Sequence, residues 1–120
     1  MTTLLSPVIS RYFTAAADGD DAALVDCFTD DAAVTDEGRT WHGRARIRRW
    51  RETVATAYEY TLEVLGAGPG GQADGLEWQD VQTHLEGNFP GGTVDVTHRF
   101  GLRDGRIARL EIGPTEAAGS

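Results

Sequence analysis

The sequence predicts an α+β domain in which three N-terminal helices pack on a strongly curved, mostly antiparallel sheet, a cone-shaped half-barrel. Three observations carry this. Helical periodicity is confined to the first half of the chain, interrupted there by one strand-like run. The second half alternates apolar and polar residues over four successive runs. Gly-rich or Asp-Gly segments separate those runs, as the turns of a meander do. A chain of 120 residues is long enough for one domain with a real core, and no internal linker divides it.

The first helix is read from LLSPVISRYFTAAADGD. Leu5, Val8, Ile9, Tyr12, Phe13 and Ala16 fall on one stripe, Pro7 suits a first turn, and Gly19 is a natural stop. Asp20 or Asp21 caps a second, short helix, DAALVDCF, with Leu24 and Phe28 on one face. Ala32 to Asp36 reads as a strand, ended by the Asp36-Glu37-Gly38 turn, and Thr40-Trp41-His42-Gly43 leads onward. A third helix spans about Arg44 to Ala57, with Ile47, Trp50, Val54 and Ala57 inward and the arginines elsewhere. EYTLEVLGAG, EWQDVQTHLEGNF, TVDVTHRFGLR and RIARLEI are the meander strands. Their turns are GAGPGG, FPGG and RDGR; GAGPGG matches neither nucleotide fingerprint. GPTEAAGS, residues 113–120, is expected to fray.

Composition excludes several classes of function. A formal net charge of −8 repels phosphate at long range and argues against nucleic-acid binding. The single Cys27 leaves no internal disulfide, and His42, His84 and His98 show no metal-ligand spacing, so neither a metal nor another cofactor is expected. Met1 to Leu5 lacks a basic region, and no apolar run approaches the ~20 residues of a membrane span. The expected setting is soluble and cytoplasmic. All eleven basic residues are arginine, which with the Ala and Gly content points to a GC-rich bacterial source. The run RARIRRWR, residues 44–51, reads as a solvated helix face, with anion binding as the alternative.

One carboxylate stands out. Ala32, Val34 and Asp36 share a face if their segment is a strand, and that face is the more apolar one. Tyr12 lies on the apolar stripe of the first helix, where its hydroxyl needs a partner or a cavity. On the strand-like run TVDVTHRFGLR, Val94, Val96, His98, Phe100 and Leu102 form the apolar face, with His98 its polar member. A half-cone leaves room for a pocket between the first helix, the third helix and the concave sheet.

The succession RYFTAAADGD, ALVDCFTDDAAVTDEG, Trp-His-Gly before a helix, and a closing strand pair around RDGRI resembles the nuclear transport factor 2-like superfamily. That superfamily includes SnoaL-like polyketide cyclases and ketosteroid isomerases, and the resemblance runs from about Val8 to Ile112. It implies that Asp36, in DDAAVTD, is a general base and that Tyr12, ahead of Asp-Gly-Asp, is an oxyanion donor. The third isomerase residue, a neutral aspartic acid on a late strand, falls here on Val96, and His98 would be a second donor or a partner for Asp36. Phe28, Val34, Trp41, Trp50, Val96 and Phe100 are the expected substrate contacts.

The implied function is proton abstraction alpha to a carbonyl on an apolar polyketide- or steroid-like ligand, in isomerisation or cyclisation. The alternative is a non-catalytic ligand-binding or dimerising domain of the same fold. Asp36 could instead begin a solvated turn, and Tyr12 or His98 could be satisfied core residues. An epoxide hydrolase relative would need an Asp-Arg-Asp set; Asp95 and Arg99 are available but their parity puts them opposite Asp36. His84 is expected outside and His42 in a loop. Homodimerisation through the outer sheet face is the expected assembly, using EVLGA and the aromatics around Trp78.

Overall fold

A computed structural model describes residues 5–57 and 59–115. The Ala57 side chain, expected on the inner face of the third helix, and Tyr58 lie outside the described residues, as do 116–120. In chain order the elements are α1 Pro7–Asp18, α2 Asp21–Asp26, β1 Phe28–Asp36, β2 Arg39–His42 and α3 Arg44–Ala57. The meander follows as β3 Tyr60–Ala73, β4 Leu76–Gly87, β5 Thr93–Arg103 and β6 Arg106–Pro114. The three helices and the mostly antiparallel sheet are those the sequence predicts. No described helix is long and apolar enough to cross a membrane.

Local chemistry sets the helix ends. Pro7 opens α1, whose buried residues are Val8, Ile9, Tyr12 and Ala15. Gly19 closes it at φ 70°, in the left-handed region that glycine enters without steric cost. Asp20 then caps α2 by accepting the Ala23 amide at 3.1 Å.

The sheet order is β2-β1-β6-β5-β4-β3. Every neighbouring pair is antiparallel except β1 and β6, which run parallel because α3 and the meander intervene between them. Three hairpins close through Glu37-Gly38, Asp74-Gly75 and Asp104-Gly105, each with both residues at positive φ. This mirror-image turn matches the right-handed twist of the strands it joins. Register shifts interrupt β3 twice, between Val64 and Gly66 and between Pro69 and Gly71. Such bulges bend a strand and raise its twist, and here they curve the sheet's edge.

The core fills the concave side. Ile9 and Tyr12 from α1, Leu24 from α2, and Ile47 and Trp50 from α3 meet Phe28, Ala32 and Val34 of β1. Val81, Phe100, Ile107 and Leu110 complete it from the meander.

Four local expectations need correction. GAGPGG is part of β3 and not a turn. Pro69, which has no amide hydrogen, is tolerated because β3 is an edge strand. Gly70 and Gly101 make room for Trp78: a Cβ at Gly70 would lie 2.9 Å from the Trp78 Cβ, and one at Gly101 3.1 Å from its ring. Thr40 to His42 forms strand β2 against β1, held by Thr35↔Thr40 and Asp36↔Arg39 pairing. Phe28 starts β1 and does not end α2. Residues 113 and 114 belong to β6, and the Thr115 amide donates to the Asp95 carbonyl at 3.0 Å, so fraying does not begin at Gly113.

Trp78 is also not the open apolar surface expected of the convex face. It is only 5% exposed, packed with Leu76 and Ala108 beneath the Arg99 guanidinium at 5.0 Å. Its indole N–H donates to the Ala73 carbonyl at 3.1 Å. Gly101→Val should therefore force the indole out of place and destabilise the protein by about 1–3 kcal/mol, the usual cost of overpacking. Urea unfolding followed by tryptophan fluorescence checks this; an unchanged midpoint would show that the convex packing is loose.

Candidate active site

Between α1, α3, the end of β1 and the concave faces of β3 to β6 lies a cavity of about 610 Å³. That is the size of a small-molecule site. Its wall is mainly apolar, with Val54, Leu62, Leu85, Val94, Val96 and Ile112 among its members. Tyr12, Asp36, Glu37, Arg51, Tyr60 and His98 supply ionisable groups on that wall. The three residues expected to carry chemistry thus border one cavity.

Asp36 is the last residue of β1, paired with Arg39 on one side and Ile112 on the other. Strand parity places it on the face of Val34, and β2 pins the backbone there. The Trp50 indole N–H on α3 donates to its Oδ2 at 2.9 Å. Burial raises the Asp36 pKa above the ordinary carboxylate value, the Trp50 bond opposes the rise, and the Glu37 charge adds to it. The group that orients Asp36 is therefore Trp50, where His98 was one of the expected partners.

Tyr12 is buried on α1, with its ring edge-on to Phe13 at 5.2 Å and to Phe100 at 5.3 Å. Burial pushes its phenol pKa up, against an opposing pull from Arg51. It remains a neutral O–H donor through the working pH range.

His98 on β5 stacks on Phe100, with ring centroids 5.9 Å apart and planes 14° from parallel. Burial, helped by the positive field of Arg51, pushes its pKa down to about 4. The imidazole is neutral near pH 7. Thr83 commits its hydroxyl hydrogen to the Val96 carbonyl at 3.0 Å. Its oxygen can then only accept from His98 Nδ1, 3.4 Å away. That assigns the proton to Nδ1 and leaves Nε2 an acceptor.

The expected substrate contacts divide. Trp50 and Val96 line the cavity. Phe28, Val34 and Phe100 do not line it; all three have 0% exposure and form the core beneath. Trp41 borders a smaller adjoining recess of about 80 Å³, which shares Asp36, Glu37, Trp50 and Val54 with the main cavity. The Arg39 guanidinium lies 4.4 Å from the Trp41 ring centroid. Residues sharing a strand face can be floor or wall, and parity does not distinguish them. Arg99 and Asp95 lie on the convex face as expected: Arg99 pairs with Asp80 and Glu111, and Asp95 with His84.

Sequence reading missed Arg51. It was placed with the solvated arginines, yet it is buried on the cavity wall. The signal was present: Ile47, Trp50, Arg51 and Val54 stand at i, i+3, i+4 and i+7, one helix face. Burial opposes its charge, but Tyr12, Tyr60 and Asp21 favour it and the net direction of its pKa is upward, so it is a permanent cation.

A helix-backed conical sheet enclosing an apolar cavity defines a nuclear transport factor 2-like domain. Within that class the chain belongs to the SnoaL-like domain family, whose model matches residues 9–110. A Sinorhizobium meliloti protein, given the provisional name polyketide cyclase, is similar at 37% identity with a TM-score of 0.83. The match covers 91% of this chain and 95% of that one. The Anabaena Orange Carotenoid Protein binding canthaxanthin shares the fold at 17% identity and TM-score 0.83, over 98% of this chain and 38% of that one. A Catenulispora acidiphila protein of ketosteroid isomerase-like fold, in complex with trimethylamine, matches at 17% identity and TM-score 0.77, over 93% and 88% of the two chains. No curated protein sequence matches.

The His98 environment has a measurable consequence. As pH falls below about 6.5 the unfolded chain protonates this histidine, while the folded protein resists until about pH 4. Its contribution to stability is thus full above that window and lost on acidification, by about 3 kcal/mol over the interval. Asp36, with its raised pKa, acts in the opposite sense. The difference in unfolding free energy between wild type and His98→Gln isolates the histidine, and it should shrink from pH 7 to pH 4. A difference that stays constant would mean His98 is not held neutral by burial.

Proposed function

We propose that this SnoaL-like domain is an enzyme that removes a proton alpha to a carbonyl of an apolar, polyketide- or steroid-like substrate. The observation that carries this reading is the Asp36 carboxylate. It is half-buried on an apolar cavity wall, oriented by Trp50, on the same cavity as the Tyr12 phenol. Desolvation makes the carboxylate a stronger base than one in water. Asp36 takes the proton, the C–H electron pair moves into an enolate, and the Tyr12 hydroxyl donates to the enolate oxygen. Returning the proton to another carbon completes an isomerisation; attack of the enolate carbon on a second carbonyl, whose oxygen then takes the proton back from Asp36, completes a cyclisation. Neutral His98 offers Nε2 as an acceptor for a substrate hydroxyl.

A second reading, a binding domain without turnover, is favoured by Val96. It occupies the position where the isomerase pattern has a second acidic donor, and it gives the cavity only methyl groups there. Alpha-proton exchange of 2-tetralone in D₂O, followed by proton NMR, separates the two. Wild-type protein should accelerate exchange, Asp36→Asn should abolish the acceleration while still binding the ketone, and Tyr12→Phe should raise the barrier by about 2–4 kcal/mol. Binding with exchange at the buffer rate would move the function to ligand binding.

We place the protein in a bacterial cytoplasm as a homodimer. Support for pairing comes from the edge strand β3, where Leu65 is 56% exposed beside exposed Val64. Light scattering at micromolar concentration should give twice the chain mass, and Leu65→Glu should halve it. A monomeric wild type rejects the dimer.

A further inference from the structure

We propose that the cavity selects ligands bearing a carboxylate, with Arg51 as the residue that holds it. This deepens the enzyme reading by naming the substrate class, apolar carboxylic acids such as keto acids, and rests on the same cavity.

Arg51 is a buried cation, 9% exposed, with no carboxylate in ion-pair contact among the described residues, Asp21 acting on it only through its charge. The Tyr60 phenol acts on its charge, and the Trp50 ring lies 5.2 Å from its guanidinium carbon. Its Nε is buried with no hydrogen-bond partner. A guanidinium has five N–H donors in a planar fork, and an aromatic face with a phenol neither balances its charge nor fills the fork. Leaving such a group unpaired in a low-dielectric setting is costly, so isolated buried charges are normally found with an opposite charge.

Asp36 does not supply that charge. It makes no ion pair with Arg51, and the Glu37 charge acts on its ionisation more strongly than Arg51 does. Nor does long-range attraction bring anions in, because the molecule carries a net charge of −8. Selection has to come from short-range contact inside the cavity. The matching ligand group is planar, singly charged and able to accept two parallel N–H bonds, which describes a carboxylate. A phosphate would bring up to two charges against Asp36 and a wall of Val54, Leu62 and Leu85. The apolar wall takes the hydrocarbon body, and the Arg51 end takes the head.

Isothermal titration of 2-naphthoate and 2-naphthamide against the full chain tests this. The pair share size and ring system and differ in charge. Wild type should bind the carboxylate at least about ten-fold more tightly, since hydrogen bonds to charged groups are the stronger kind. Arg51→Gln should reduce the preference to two-fold or less, and Arg51→Lys should keep part of it; melting curves confirm that each variant is folded. Equal binding of both ligands by wild type, or a preference that survives Arg51→Gln, overturns the proposal. The wild-type comparison decides even if the glutamine variant does not fold. Asp36→Asn separates this from the reading of Asp36 as a base: it should leave the carboxylate preference intact or widen it whether or not the protein turns over ketones.

Discussion

The hydrogen bond from Trp50 to Asp36 joins the two layers of the molecule at the rim of its cavity. Trp50 belongs to α3, and Asp36 ends the strand from which the β1–β2 hairpin turns back. The indole N–H is a donor only, and the carboxylate an acceptor only when ionised, so the bond has one polarity and one geometry. It offsets part of the cost of taking a carboxylate from water without neutralising it. A lysine or arginine in the place of Trp50 would lower the carboxylate's basicity outright by charge attraction. A neutral donor orients the group and leaves much of the effect of burial in place.

The rest of the site follows the same division between neutral and charged groups. Tyr12 and His98 are each held neutral by burial, the phenol keeping its proton and the imidazole declining a second one. Asp36 and Glu37 are the acids on the wall and Arg51 its cation, and Asp36 makes no ion pair with Arg51. Opposite charges set apart on the wall of one cavity generate a field across it that solvent screens poorly. A ligand with its own polarity would be aligned by that field before any specific contact forms. The aromatic packing of Tyr12, Phe13, His98 and Phe100 keeps the polar groups at fixed positions while exposing little of their surface.

Much of this was legible in the sequence, and the failures share a cause. Helical stripes placed α1 and α3, and alternation placed Asp36 and His98 on the inner face, because both signals depend only on backbone periodicity. Asp36 was recognisable because a carboxylate on an apolar strand face breaks the local pattern. Arg51 broke the helical pattern equally, but four neighbouring arginines in RARIRRWR made it look like part of a solvated surface. Residue type overrode position. Val34 and Phe100 share a strand face with wall residues and so read as cavity contacts, whereas depth in a curved sheet depends on where the helices press. GAGPGG was misread because glycine has two uses, turning the chain and admitting a neighbour's bulk. The neighbour here, Trp78, is in contact only once β3, β4 and β5 have paired.

That last case bears on the cavity itself. A sheet that curves around a cavity on one side must crowd less on the other, and the convex face achieves this by pairing a large side chain with missing ones. Trp78 on β4 lies across Gly101 on β5, where its ring takes the space of a side chain, and its Cβ abuts Gly70 on β3. With Leu76 and Ala108 it forms a second small core of its own. The bulges at Leu65 and Gly70 bend β3 along the same edge, and Leu62 and Leu85 meet the cavity from the inner face of the adjoining pair. The width of the site is therefore set from both faces: by the helices that α1 and α3 press into the cone, and by an indole that never touches the ligand space.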